Sequence, residues 1–237
     1  MAQYGFDLHI HSCLSPCAEN GSQPAVMAGM FALSGFRIIA LTDHNSCGNC
    51  AAFLKACDYY GILGLPGMEL NTSEEVHVVC LFETLEGAMD FSSTVYDSLP
   101  PIKNRKKIFG DQLFTDAEGN VTAEEEKLLI SASGIGIYQA RQLAESCGGL
   151  AYPAHIDRSS NSLISNLGMW DPDMGFNIAE LSMACPDGFT ASRKDLEGLR
   201  FIKGSDAHRI EQIPLSPVQF MDLDELSAAA VLAWLRK

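Results

Sequence analysis

Asp7-Leu8-His9-Ile10-His11-Ser12 closes a strand-forming run that begins at Tyr4, and it governs how the rest of the 237-residue chain is read. Successive strand residues point to opposite faces, so positions two apart share a face. That rule sends His9 and His11 in one direction, towards one ligand. The other four histidines occupy comparable places. Thr42-Asp43-His44 ends the apolar run 37–42, and His77 opens or lies within the strand-like run 76–82. His155 follows 149–152 through Pro153-Ala154, and Asp206-Ala207-His208 follows 200–204.

Helical sequence separates most of these runs. Residues 24–35 read as a helix with Pro24 in its first turn and Gly35 at its stop, and 49–60 and 85–99 read as two more. Residues 224–237 read as an amphipathic helix with an acidic first turn and a basic last turn. Further strands are expected at 62–65 and 177–181. Strands separated by helices imply parallel pairing, and about seven of them without a glycine-rich nucleotide fingerprint point to a barrel. Ligands distant in sequence converge at the mouth of such a barrel, where the strands end. Glu69, in a Pro66-Gly67-Met68-Glu69 turn after 62–65, joins the set.

One domain is expected over 1–237. Residues from about 100 to 133 break its rhythm with Pro100-Pro101, a basic run (Lys103, Arg105, Lys106, Lys107) and an acidic stretch. This polar segment after the fourth strand is too long for an ordinary loop and reads as a functional insert or cap.

The composition, 47% hydrophobic and 19% charged, supplies ample core. A net charge of −14 argues against an extended nucleic-acid partner, because phosphate backbones are held by Lys and Arg. It leaves room for a small phosphorylated substrate, since bound cations dominate the local field. No basic start followed by an apolar run suggests export, and no apolar stretch is long enough to span a membrane. The expectation is a cytoplasmic, reduced protein whose eight cysteines are free thiols or metal ligands. Nothing in the pattern speaks to oligomeric state.

Taken singly, a His-x-His, a Thr-Asp-His or a lone Glu is more often incidental. Imidazoles and carboxylates recurring in order at strand ends are the donor set of a multinuclear site for divalent zinc, manganese or iron. Cys47-x-x-Cys50 invites a redox reading that would need a thioredoxin-like setting, or a four-cysteine zinc site with Cys13 and Cys17. Otherwise these are small, partly buried thiols.

Asp-Leu-His-Ile-His-Ser at 7–12, Leu-Thr-Asp-His-Asn at 41–45, Pro-Gly-Met-Glu at 66–69, Val-His-Val-Val at 76–79, Pro-Ala-His at 153–155 and Ser-Asp-Ala-His at 205–208 together resemble the ordered motifs of the PHP (polymerase and histidinol phosphatase) family. The resemblance runs from residue 4 to about 220, the insert excepted. It implies a distorted, TIM-like seven-stranded (β/α) barrel, up to three metal ions and phosphoester hydrolysis. On that pattern His9, His11, Glu69 and Asp206 would hold one ion, and His44 and His208 a second. Glu69 with His77 and His155 would hold a third, making Glu69 a bridging carboxylate. Glu69 and Asp206 would take part in the chemistry, and Asp43 would orient a ligand or shuttle a proton. Many members carry a further Asp or His about five residues after the His-x-His; here that position is Pro16, which cannot ligate. Cys17 or Glu19 are the candidates to replace it, and a thiolate would bias the site towards zinc or iron.

Cations should complete a phosphate pocket. Arg158, three residues after His155, is the first choice for its forked geometry, followed by Arg209 and the basic run of the insert. The expected activity is a metal-dependent phosphoesterase with two to three divalent ions acting on a small phosphorylated metabolite or nucleotide. The alternatives are a nuclease on short oligonucleotides, an amidohydrolase-like enzyme, and a non-catalytic metal-stabilised module.

Overall fold

Three parallel strands alternate with two helices at the start of the chain. They are β1 (Ala2–Ile10), α1 (Pro24–Leu33), β2 (Ile38–Leu41), α2 (Cys50–Tyr60) and β3 (Leu63–Asn71). The computed structural model describes residues 1–237. Pro24 opens α1, where a missing N–H costs nothing, and α2 stops at Gly61, whose φ of 68° suits a residue without Cβ. Glu69 lies within β3, so the turn expected at 66–69 is instead continuous strand.

β4 (His77–Phe82) pairs antiparallel with β3, which departs from the expected all-parallel order. Only residues 72–76 separate the two strands, and a parallel crossover needs a dozen or more. The reversal places the start of β4 beside the end of β3, pairing Asn71 with His77. His77 therefore reaches the same rim as the strand C-termini.

After α3 (Leu85–Ser98), capped by Thr84, the insert forms a short helix α4 (Lys106–Phe109) and a hairpin of β5 (Leu113–Thr115) and β6 (Val121–Glu124). Then follow α5 (Ile137–Ser146), β7 (Gly149–Pro153), α6 (Leu163–Leu167), β8 (Ile178–Ser182), β9 (Arg200–Gly204), β10 (Phe220–Leu223) and α7 (Ala228–Leu235). Asp224 and Glu225 precede α7, which therefore has no acidic first turn. Ser227 caps it instead, its side chain accepting from the Ala230 N–H at 3.2 Å.

The result is a mixed α/β fold built on a curled six-stranded sheet, order β10-β1-β2-β3-β4-β7. The parallel pair β8–β9 stands as a separate ladder. It meets the sheet through isolated links: Asp206 N–H to His9 O and His11 N–H to Ala207 O, both 2.9 Å, and Ile156 N–H to Glu180 O at 2.9 Å. The hydrogen-bonded ladder is not continuous around a ring of seven strands. No helix is long and apolar enough to cross a membrane.

Two apolar layers line the sheet. The outer layer joins it to α1, α2, α3 and α5 through Phe31, Phe53, Phe91 and Ala140, with Ile39, Leu41, Met68, Leu70, Val78, Cys80 and Ala151 from the strands. The inner layer holds Ile38, Ala40, Leu65, Val79, Leu81, Tyr152, Ile178 and Ile202, and α7 closes it with Val231, Leu232 and Leu235. Strand alternation then puts Glu69, His77, Glu180 and Gly204 on the inner face. β1 obeys a different rule. Phe6 and Leu8 belong to the inner layer but Ile10 to the outer one, because the β1–β2 register shifts between Asp7 and Ile10. That bulge turns His9 and His11 inward, where an unbroken alternation would send them out.

Candidate metal centre

Glu69 is the hub. Its backbone is pinned to the end of β2, the N–H donating to Thr42 O and Asp43 O at 3.1 Å each and the carbonyl accepting from Asn45 N–H at 3.0 Å. Five imidazoles from four segments of the chain surround its carboxylate. His9 Nε2, His77 Nδ1 and His155 Nε2 lie 3.2, 2.8 and 3.0 Å from Oε1; His11 Nε2 and His44 Nδ1 lie 3.4 and 2.9 Å from Oε2. Asp206 completes the arc, Oδ1 lying 3.3 Å from His9 Nε2, 2.9 Å from His11 Nε2 and 3.5 Å from His208 Nδ1. All but His208 are buried.

Donor atoms converge in three overlapping groups: His9, His11, Glu69 and Asp206; His11, His44 and His208; His44, Glu69 and His77. The first is the set expected from the motifs. In the second, His11 stands beside His44 and His208, and in the third His44 stands beside Glu69 and His77. His155 touches Glu69 but belongs to none of the three. The fit to cations rests on orphaned atoms: His9 Nε2, His11 Nε2, His44 Nδ1, Glu69 Oε2 and Asp206 Oδ1 are buried without a hydrogen-bond partner. Buried polar atoms are normally satisfied, and five orphans facing one another form a donor set that fits divalent cations. His155 and Asp206 also adopt φ of 27° and 51°, a conformation that non-glycine residues hold at a cost and that clusters at functional sites.

The electrostatics agree. Burial resists ionisation of Glu69 and Asp206, yet the surrounding imidazoles hold both carboxyls well below the usual range. Burial opposes the charged form of His9, but Glu180, Glu69 and Asp206 outweigh it and raise its pKa well above the ordinary value. His11 goes up to about 9 in the same way, burial being outweighed by Asp206 and Glu69. His44 and His208, pushed by burial down to about 4 and about 3, stay neutral near pH 7 and present lone pairs. The carboxylates favour positive charge at His9 and His11.

Asp43 does not reach the centre directly. Its carboxylate accepts from Ser12 N–H at 2.7 Å, Ser12 Oγ at 2.6 Å and Ser15 Oγ at 2.6 Å, and Ser15 Oγ lies 2.8 Å from His11 Nδ1. It is linked to His11 through Ser15.

Arg158 sits at the rim, partly exposed, with its guanidinium on Asp206 Oδ2. Arg209 instead reaches Glu19 at 3.4 Å, both on the surface. Two residues of the basic run are paired within the insert, Lys106 with Glu124 and Asp111 and Lys103 with Glu126.

Cys17 is exposed and in no donor group; its backbone, at φ 69°, is tied to the insert by an N–H bond to Phe109 O at 2.9 Å. The ligand expected in place of Pro16 is thus not brought to the centre. Cys17→Ser should leave metal content unchanged, measured by elemental analysis after dialysis. Cys47 and Cys50 are buried side by side, their thiols 3.2 and 3.5 Å from Gly67 O, and Cys13 is buried with its thiol pushed up to about 12 by burial and Asp43. No four-cysteine site forms, and all eight thiols are free.

The insert is tied to the ends of β2 and β3. Asn45, held at φ 49°, donates from Nδ2 to Leu129 O and Ser131 O at 2.7 and 2.9 Å while its Oδ1 accepts from Asn71 N–H at 2.8 Å. Asn71 Nδ2 holds Ile130 O at 2.8 Å. Asn49 clamps β5 through Leu113 O and Thr115 N–H, both at 3.0 Å.

Glu180 was not expected from the sequence. It is fully buried on β8, with Oε1 2.8 Å from His9 Nδ1. Its signal was present: an ionisable residue inside the apolar strand run Ile178-Ala179-Glu180-Leu181 is seldom buried without a task.

No family model and no curated protein matches the chain by sequence. Solved structures do match it in fold. PfuEndoQ, a lesion-specific endonuclease from Pyrococcus furiosus, superposes with a TM-score of 0.71 at 16% identity, over 97% of this chain and 55% of that one. The chain has the fold of known hydrolases. A protein described as a metal-dependent phosphoesterase from Bifidobacterium adolescentis gives 0.60 at 13% identity over 97% and 95% of the two chains. An amidohydrolase from Chromobacterium violaceum, with sulfate bound and no metal, gives 0.62 at 20% over 94% and 93%. The chain spans about half the length of the endonuclease.

Proposed function

We propose that this protein is a PHP-type, metal-dependent phosphoesterase, built as a distorted seven-stranded barrel in which β8 and β9 complete the ring and residues 100–133 form a cap. It acts on a small phosphorylated metabolite or nucleotide with two to three divalent ions of zinc, manganese or iron. The observation that carries this reading is one carboxylate, Glu69, whose two oxygens are each approached by imidazoles belonging to different donor groups. A carboxylate so shared suits more than one ion, and closely spaced ions suit in-line displacement at phosphorus.

His9, His11, Glu69 and Asp206 would hold one ion; His11, His44 and His208, or His44, Glu69 and His77, would hold the others, with His155 supporting Glu69. Cations bound there would neutralise phosphoryl charge and lower the pKa of water. The chain's own residues do the rest. Asp43 and Ser15 fix the His11 ring. Arg158, on Asp206 at the rim, is the cation placed to offer the rest of its fork to a phosphoryl oxygen. Arg158→Ala should raise KM for a phosphorylated substrate by about tenfold with metal content unchanged, the loss of one charge-assisted hydrogen bond. A fall in bound metal instead would make Arg158 a structural partner of Asp206.

The test is hydrolysis of an aryl phosphate, nucleotides and natural phosphomonoesters with manganese, iron or zinc, together with metal content per chain. Two to three ions and phosphate release are expected. No turnover across that panel would overturn the reading, and turnover of amides alone would favour an amidohydrolase. Nuclease action is the second reading, favoured by the endonuclease fold. The net charge of −14 weighs against long duplexes and for short single strands. Comparing a short oligonucleotide with a duplex separates the two.

A further inference from the structure

Behind His9, on the side away from Glu69 and Asp206, lies a carboxylate outside every donor group. Glu180 Oε1 is 2.8 Å from His9 Nδ1 and also accepts from the His155 backbone N–H at 3.2 Å. One oxygen thus steadies the ring of one candidate ligand and the strained backbone of another, His155 at φ 27°. The other oxygen, Oε2, is buried with no hydrogen-bond partner. It lies against Gly204, the last residue of β9. A Cβ at position 204 would overlap the Glu180 carboxylate and stand 2.8 Å from His9 Cβ. The fold therefore keeps a side-chain-free slot beside a buried charge. Burying a carboxylate so incompletely satisfied is costly, and the return here is the fixed orientation of His9.

We propose that Glu180 is a positioning residue of the metal centre and that Gly204 is the slot that admits it. Glu180 accepts a hydrogen bond from the Nδ1–H of His9, which fixes the tautomer and turns Nε2, the orphaned atom, towards Glu69 and Asp206. Asp43 does the same for His11 at one remove, through Ser15. Both imidazoles of the His-x-His pair are thus held from behind by a buried carboxylate, one from β8 and one from the end of β2. This inference rests on the metal-dependent reading above.

The test uses the full chain, with manganese or zinc titrated by equilibrium dialysis and elemental analysis. The visible spectrum of the cobalt-loaded protein and the melting temperature of the metal-free protein are recorded alongside. Glu180→Leu, which removes the acceptor, should weaken the tightest site by about 10- to 100-fold and alter the cobalt spectrum. Glu180→Gln, which keeps an acceptor oxygen, should fall between it and the wild type. Gly204→Ala, which displaces the carboxylate without replacing it, should reproduce the loss and keeps the question open to measurement should the Leu variant fail to fold. Wild-type affinity and spectrum in both Glu180 variants would overturn the proposal. So would a lower melting temperature of the metal-free protein with the cobalt spectrum unmoved, since that is a packing role. Wild-type protein that binds no metal at all would sink the metal-dependent reading itself, and this proposal with it.

Discussion

Glu69→Gln should lower hydrolysis by roughly a thousandfold, about 4 kcal/mol of activation free energy, and should cost more than any single histidine change. The reason is geometric. Each histidine offers one nitrogen to one or two groups, whereas Glu69 presents both oxygens to five imidazoles. An amide at this position removes a negative charge from the middle of the cluster. It also directs an N–H₂ at rings whose facing nitrogens have to be lone pairs when cations bind. Metal content per chain should fall with activity, by more than one ion. Backbone placement is unaffected, because Glu69 is pinned to Thr42, Asp43 and Asn45 through main-chain atoms, so the variant should fold. Losses equal to or smaller than those of His9→Ala or His77→Ala, measured side by side, would remove its bridging role.

Asn45→Ala should destabilise the protein by about 3 kcal/mol, read from the denaturant midpoint at constant m-value. Three hydrogen bonds vanish at once, those to Leu129 O, to Ser131 O and from Asn71 N–H, and the first and last leave a buried partner unsatisfied. Alanine also tolerates φ of 49° less well than asparagine, which adds strain. The insert would lose its main anchor to the ends of β2 and β3, so proteolysis between residues 125 and 135 should quicken. A stability change under 1 kcal/mol would mean that the insert is held elsewhere, through Asn49 or Gln112.

How the site could be read from the chain differs residue by residue. The histidines and Glu69 were legible because metal donors leave a type-and-spacing signature that survives in one dimension. Asp206 and His208 were legible for the same reason. Cys17 was misleading: its spacing after His11 suits a ligand, but its backbone turns to solvent under a hydrogen bond to the insert. Glu180 went unmarked because a single acid in an apolar strand announces burial without naming its partner, and the partner lies 171 residues away. Helix α5 and the edge strand β10 were also not resolved as separate elements, the one short and mixed in hydropathy, the other only four residues long.

The ordered strands and helices, the donor types and the net acidity follow from sequence alone, since local periodicity and residue chemistry are local properties. Three things depended on the folded chain. The β1 bulge turns His9 and His11 inward against simple alternation, and the short 72–76 link reverses β4 and brings His77 to the rim. The meeting of β8 and β9 with β1 sets Glu180 and Gly204 behind His9. Each of these is a relation between segments that touch only after packing, and no pattern along one strand contains it.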